Sequence, residues 1–282
     1  MATYQQIVSI VQNYNLFDFN DVDKVSAYSR SMSIESICPP ISSDILPAPS
    51  NPKYNDLCRL HWLALSRRAV SVLEFGSGYS TAVLADACRV LHKEFNSWAG
   101  SSLRFQRPFH LHSVEESDEF LGRTETMLSK EARPCVSLYK SNVIVTEMFH
   151  RIVTLYDKIP NYAFDLIYLD GPSQTANLSD IRGFSFNSPD RMPMAADIIT
   201  LEFFLPPGCL IIVDGRTANA RFLRSFLKRQ WAYQHDPAAD VHYFELQETP
   251  LGVYSELHLS FCLPNGFLLN GSSGSDDLSR SR

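Results

Sequence analysis

Four acids stand where apolar runs of the sequence end: Glu74 in VSVLEFG, Glu115 (or its neighbour Glu116) in HLHSVEE, Asp170 in YAFDLIYLD and Asp214 in CLIIVD. Carboxylates so placed can grip a ribose diol, pair with an ammonium group, take a proton from an acceptor, or bind a divalent cation. The runs are short, rich in Val, Ile and Leu, and separated by helical patterns, which reads as a parallel sheet with helices on both faces. Ligands of such sheets bind outside the carboxyl ends of the strands, so strand-end residues are the first candidates for chemistry. Four carboxylates on one rim repel one another unless ligands or cations lie among them; plain solvation of the rim is the competing explanation.

The first of these acids opens a glycine turn. Val70–Thr81 reads VSVLEFGSGYST, an apolar strand, then Gly76-Ser77-Gly78, then the helical run TAVLADACRVL. Glycines let the backbone turn sharply and let a ligand approach where a Cβ would stand. A dinucleotide site calls for G-x-G-x-x-G with the pyrophosphate on the helix N-terminus. Here the third glycine position is Thr81, and Glu74, two residues before the first glycine, would repel a pyrophosphate. The same carboxylate suits a ligand that carries an ammonium group.

EFGSG, the acid Glu115 about forty residues after it, FDLIYLDGP and IIVDG together, in that order, resemble the class I S-adenosylmethionine (SAM)-dependent methyltransferases over roughly residues 70–262, near the small-molecule and sugar O-methyltransferases. The resemblance implies a mostly parallel, seven-stranded Rossmann-like sheet with helices on both faces. It implies SAM as cofactor, with Glu74, Gly76, Ser77, Gly78, Tyr79, Ser80, Glu115 and Asp170 in the binding site. Glu115 is the acid for the ribose hydroxyls, because Val114 is expected to point into the core. Asp170 and Asp214 are the catalytic candidates, Asp170 as orienter or base. DGP departs from the D/N-P-P-Y/F motif of many amino-methylating enzymes of nucleic acid and protein, so the acceptor is expected to be a small molecule or a sugar. An NAD-dependent oxidoreductase and a non-catalytic SAM-binding or interaction protein are the alternatives.

Some O-methyltransferases of this kind hold a metal on an Asp after the fourth strand and an Asp-Asn pair after the fifth. Asp170 and Asp214 fill the first two slots, but Gly215 stands in place of the asparagine. Octahedral oxygen coordination then lacks a ligand, so no metal is expected. His110 and His112 share one strand face and read as packing residues; His235 and His242 could reach an acceptor. Arg216 differs from the other basic residues of 216–229 in lying on the functional rim. Tyr79 and Trp98 are candidates to line the cofactor pocket.

The 282 residues, 45% hydrophobic and 20% charged with a net charge of −6, fit one large globular domain with an extension. The charge argues against a dedicated nucleic-acid binder. Six scattered cysteines without a C-x-x-C pair argue against a disulfide framework or a zinc site. MATYQQIVSI lacks the pattern of a signal peptide and no run is long enough to span a membrane, so a cytoplasmic protein without membrane or nucleic-acid partners is expected.

Three parts are expected: 1–52, helical then Pro-rich, a candidate lid; 53–263, the SAM-binding domain; and 264–282, a disordered tail. Within the domain, helices are expected at 54–69, 81–95, 117–128, 194–205 and 217–229. Further strands are expected within 135–145 and at 231–235, 241–247 and 256–262, and the polar loop 171–193 leads from Asp170. Both the N-terminal segment and this loop read as too polar for core.

Overall fold

Successive side chains of a strand point to opposite faces, and in β1 (Ser71–Phe75) both faces are apolar: Val72 on one, Leu73 and Phe75 on the other. Such a strand must be covered on both sides, and all five residues are buried. The computed structural model describes residues 3–40, 52–174, 179–188 and 190–269. In it, β1 lies at the centre of a seven-stranded sheet with β2 (His110–Glu115), β3 (Val136–Lys140), β6 (Leu166–Leu169), β7 (Leu210–Asp214), β8 (Trp231–Asp236) and β9 (Val241–Leu246). The order is β3-β2-β1-β6-β7-β9-β8, with β9 antiparallel to both of its neighbours and the other pairs parallel. This is the mostly parallel, seven-stranded Rossmann-like sheet with helices on both faces expected from the sequence.

One face carries Val72, Leu111, Leu166 and Ile212 beneath α4 (Tyr54–Ser66) and α5 (Tyr79–Ser102). The other carries Leu73, Phe75, Val114, Ile167 and Val213. It lies beneath α7 (Asp197–Leu201), α8 (Thr217–Phe226) and a separate antiparallel hairpin of β4 (Val143–Met148) and β5 (Arg151–Tyr156). Ser117 caps α6 (Asp118–Met127) by accepting from Phe120 N, as its position after the acids of β2 foretold.

Several elements differ from the sequence expectations. The run 135–145 does not make one strand: the chain leaves the sheet at Ser141, where Asp157 accepts from Ser141 Oγ at 2.9 Å and Asn142 N at 3.0 Å, and re-enters as β4 of the hairpin. Phe149 and His150, both at positive φ, form its two-residue turn. Residues 256–262 alternate like a strand but lie in a helix, α9 (Val253–Cys262). The segment packs on a face of the sheet instead, with Phe261 against Phe95, Trp98 and Phe109. The same contact carries α5 on to Ser102, well past Phe95. The helix expected over 194–205 is short, α7 followed by a 3₁₀ turn at Glu202–Phe204, because Thr154 bonds the backbone of Met194 and Ala196 first. The helix expected over 217–229 ends at Phe226.

The N-terminal helices α1 (Tyr4–Gln12), α2 (Val22–Met32) and α3 (Ile34–Ile37) are also not the polar segment expected. Phe19, Tyr28 and Ile34 have no exposed surface. The Phe19 ring lies 5.8 Å from Tyr14, 5.3 Å from Tyr28 and 5.7 Å from Trp62 of α4. Trp62 Nε1 donates to Val11 O, and buried Arg59 reaches Phe19 O and the Asn20 side chain. This layer shares its core with α4 and α5. The Pro-rich arm falls largely on residues 41–51, and the C-terminal tail on 270–282, outside the described residues. Among the described residues no helix is long and apolar enough to cross a membrane. A Phe19→Ala substitution is expected to destabilise the whole domain by about 3–5 kcal/mol, the usual cost of emptying a buried phenylalanine site. Denaturant unfolding followed by near-UV circular dichroism measures it; a change within error would mean the helical layer folds apart from the sheet.

Candidate functional site

The turn after β1 is built by its own polar groups. Gly76 N donates to Val114 O at 2.9 Å, Ser77 N to Glu115 Oε2 at 2.8 Å, and Gly78 N to Thr81 Oγ1 at 2.9 Å. Thr81 Oγ1 donates in turn to Glu74 Oε2 at 2.7 Å. Gly76 holds φ +95°, which glycine alone adopts without strain, and a Cβ there would stand 3.1 Å from Gly171 N. Thr81, where a dinucleotide motif has its third glycine, is a buried link between the turn and Glu74.

Glu74, expected in the binding site, is not part of the cleft wall. It is fully buried beneath the turn, and burial pushes its carboxyl up to about 7 against the hydroxyls of Ser80, Thr81 and Ser113. Its work in this structure is to hold Thr81 and, through it, Gly78.

The other named residues converge. A cleft of about 510 Å³ opens at the carboxyl ends of β1, β2, β6 and β7, walled by Gly76 to Ser80, Glu115, Glu116, Asp170 and Asp214. Ligand clefts usually measure about 300–1,000 Å³. Glu115 is nearly buried, accepting from Ser77 N and, through Oε1, from Ser117 N at 2.8 Å. Burial and the adjoining Glu116 charge raise its pKa. Val114 points into the core, as expected. Asp170 is solvent-accessible and lines the cleft. Desolvation raises its carboxyl to about 6, opposed by the Arg216 and Lys53 charges. Asp214 accepts from Tyr168 Oη at 2.8 Å and is raised to about 7 by desolvation and then by Asp56 and Asp170.

Arg216, on the rim as expected, is buried and donates through Nη2 to the carbonyls of Asp170 and Pro172, both at 2.6 Å. It thereby clasps the chain on either side of the cis Gly171–Pro172 bond. Glu116 does the same from the other side, accepting from Ser173 N at 2.7 Å and Tyr156 Oη at 3.1 Å. Sequence reasoning missed this role of Glu116, and missed Lys53, Asp56 and Tyr168 in the cleft wall. The alternation of YAFDLIYLD could have found Tyr168, two residues from Asp170.

Tyr79 lines the cleft and donates to Pro39 O at 3.2 Å. Trp98 lies elsewhere, against Phe261. His112 packs with Tyr139 and Tyr162, His110 packs on His112, and burial lowers His110 to about 4 and His112 to about 3. His242 is held by Thr217 and Tyr233 and stacks on His235; neither histidine lines the cleft.

No family model matches the chain, and no curated protein does. Solved structures align with most of it at low identity. An O-methyltransferase from Streptomyces achromogenes, in complex with SAM, is 16% identical over 80% of this chain and 89% of that one, with a TM-score of 0.38. A methyltransferase from Podospora anserina, bound to S-adenosylhomocysteine (SAH), is 14% identical over 79% and 96%, with a TM-score of 0.43. An O-methyltransferase from Bacillus cereus, also with SAH, is 13% identical over 84% and 100%, with a TM-score of 0.39.

The raised carboxyls give the free protein a characteristic pH response. An unfolded Glu titrates near 4.5, whereas folded Glu74 keeps its proton to about 7. Its contribution to stability is therefore full below pH 4.5 and is lost as pH rises through 7. Asp170 and Asp214 act in the same sense. The melting temperature is expected to fall between pH 5 and pH 7.5, on the order of several degrees, and Glu74→Gln to flatten that fall. An equally steep fall in the variant would remove Glu74 from the account.

Proposed function

We propose that this protein is a SAM-dependent methyltransferase that methylates an oxygen of a small molecule or sugar. The observation that carries the reading is the glycine turn and Glu115 meeting in one cleft of a sheet whose β9 runs antiparallel between β7 and β8. Doubly wound dinucleotide-binding sheets close instead on the parallel order 3-2-1-4-5-6. The strand order and the buried Thr81 both weigh against an NAD-dependent oxidoreductase.

The residues present fit the cofactor. Gly78 lines the cleft, and a Cβ on it would meet nothing within 4 Å, so a ligand can approach the backbone of the turn there. Glu115 keeps lone pairs beyond the two backbone bonds it accepts and can take the ribose hydroxyls. When bound, SAM supplies an electrophilic methyl group on a sulfonium. Asp170, titrating near 6, is ionised at neutral pH and can orient an acceptor hydroxyl and take its proton at a carboxylate oxygen. Asp214, one strand further along the rim, orients the acceptor's far side. Gly215 offers no side-chain oxygen beside them, so the reaction runs without a magnesium ion and turnover is the same with and without added magnesium.

Isothermal titration of the purified chain with SAH and with NAD is the direct test, with SAH binding and NAD not expected. Glu115→Gln should weaken SAH at least tenfold, about 1.4 kcal/mol, with the circular dichroism spectrum unchanged. NAD binding in preference to SAH would overturn the cofactor, and unchanged SAH affinity in the variant would overturn the role of Glu115. Transfer of a labelled methyl group to a panel of hydroxylated acceptors then separates an enzyme from a non-catalytic binder. Asp170→Asn is expected to lower that turnover by about 10²–10⁴-fold, the range of a lost general base.

A further inference from the structure

A second cluster of chemically active side chains lies at the opposite end of the sheet from the cleft. His258 and Cys262, four residues apart on α9, project from one side of that helix toward Asp165, which precedes β6. His258 Nε2 is 2.8 Å from Asp165 Oδ2, Cys262 Sγ is 3.3 Å from His258 Nε2, and Sγ is 3.4 Å from Asp165 Oδ2. All three residues are at most 5% exposed. We propose that Asp165, His258 and Cys262 are three ligands of one buried structural zinc ion.

Three observations support it. Zinc bonds of about 2.0 Å to N and O and 2.3 Å to S set tetrahedral ligand edges of roughly 3.3–3.5 Å. The triangle already matches this on both sulfur edges, and its nitrogen–oxygen edge needs to open by only about half an ångström. Without an ion, Val70 N at 2.9 Å and His258 Nε2 at 2.8 Å already take both lone pairs of Asp165 Oδ2, while Cys262 Sγ is held 3.4 Å from the same oxygen. With an ion, imidazole and thiolate present lone pairs to the metal instead, and the crowding on that oxygen is relieved. The charge also closes: one carboxylate and one thiolate balance a divalent cation, which suits a site with no access to water. The thiol proton is released on binding.

A mixed sulfur, nitrogen and oxygen donor set favours zinc over magnesium or calcium, which take oxygen. The fourth position is open to the Arg68 carbonyl, 3.7 Å from Sγ. His258 Nδ1 is buried without a partner among the described residues whether or not an ion is bound, so it does not discriminate. The ion would tie the last helix to the starts of β1 and β6, where Asp165 also accepts from Ser71 N at 3.0 Å.

The test uses the full chain, loaded with zinc, desalted and measured by inductively coupled plasma mass spectrometry, and in parallel loaded with cobalt(II) and read by absorption. Wild type should retain about one zinc per chain and show a thiolate-to-cobalt charge-transfer band. Cys262→Ser should lose the band and at least tenfold of the zinc, and Cys135→Ser, a thiol outside the cluster, should lose neither. Wild type retaining less than about a tenth of an ion per chain overturns the proposal. So does a wild-type cobalt spectrum without the thiolate band, which decides the matter even if Cys262→Ser does not fold, and so does a folded Cys262→Ser that keeps its zinc.

Discussion

The candidate site depends on how closely the ends of β1 and β6 approach each other. Phe75 O accepts from both Asp170 N at 3.0 Å and Gly171 N at 2.6 Å, which draws the chain after β6 against the glycine turn. A Cβ on Gly171 would stand 2.7 Å from Gly76 N and 2.5 Å from Tyr156 Oη. Neither backbone can retreat, because each is paired on its far side, Gly76 N with Val114 O and the loop with Arg216 and Glu116. Two glycines in contact therefore fix the distance between the turn and Asp170. The crossovers leave the sheet in opposite directions at this β1–β6 boundary, which is where α/β sheets open a crevice.

Electrostatics follow from that packing. Carboxylates drawn out of water near one another bind protons more tightly: Asp170 and Asp214 on the rim are raised to about 6 and about 7, and Glu74, buried beneath the turn, to about 7. Arg216 is the counterweight nearest Asp170, but both hydrogen bonds of its Nη2 go to main-chain carbonyls. Its charge thus lowers the Asp170 pKa while its geometry holds the loop, leaving the carboxylate itself open to the cleft. A cationic ligand entering among these acids gains the attraction that the free protein lacks.

Much of this was legible in the sequence because buried parallel strands write themselves plainly. The apolar runs at 70–75, 162–170 and 209–214 each became a strand with its acid within one residue of its end, and the sheet follows from their order. What was illegible had a physical reason in each case. The β4–β5 hairpin turns on Phe149-His150, with none of the Asn or Gly that announce two positive φ values. The α9 segment alternates like a strand but is a helix, because the aromatic cluster of Phe95, Trp98 and Phe109 takes Phe261 onto a face of the sheet rather than its edge. Phe19, Tyr28 and Ile34 are spaced too irregularly among polar residues to signal a core, yet they are fully buried because α4 and α5 offer an apolar face above the sheet. The placement of Glu74 was hidden for a related reason: a strand-end acid followed by a tight turn can point under the turn as readily as out of it. The H-x-x-x-C pair of α9 escaped notice because its partner Asp165 lies far off in sequence.

The N-terminal layer ties these threads together, since it is both core and wall. Cys38 Sγ donates to Tyr79 O at 3.5 Å and Tyr79 Oη to Pro39 O, so the end of α3 is fastened to the first residue after the glycine turn. Pro52, Lys53 and Asp56 then line the cleft from the start of α4. Strand order sets the sequence along the rim: Glu115 on β2, the turn after β1, Asp170 after β6, Asp214 on β7, at intervals of about 4.8 Å. Under the proposed reading the cofactor occupies the β2–β1 half, where the turn and Glu115 are. The acceptor is left the β6–β7 half, between Lys53 and Asp56 on one wall and Met192 and Arg216 on the other. Those wall residues, contributed by the segments least like a common sheet pattern, are therefore the ones positioned to choose the acceptor.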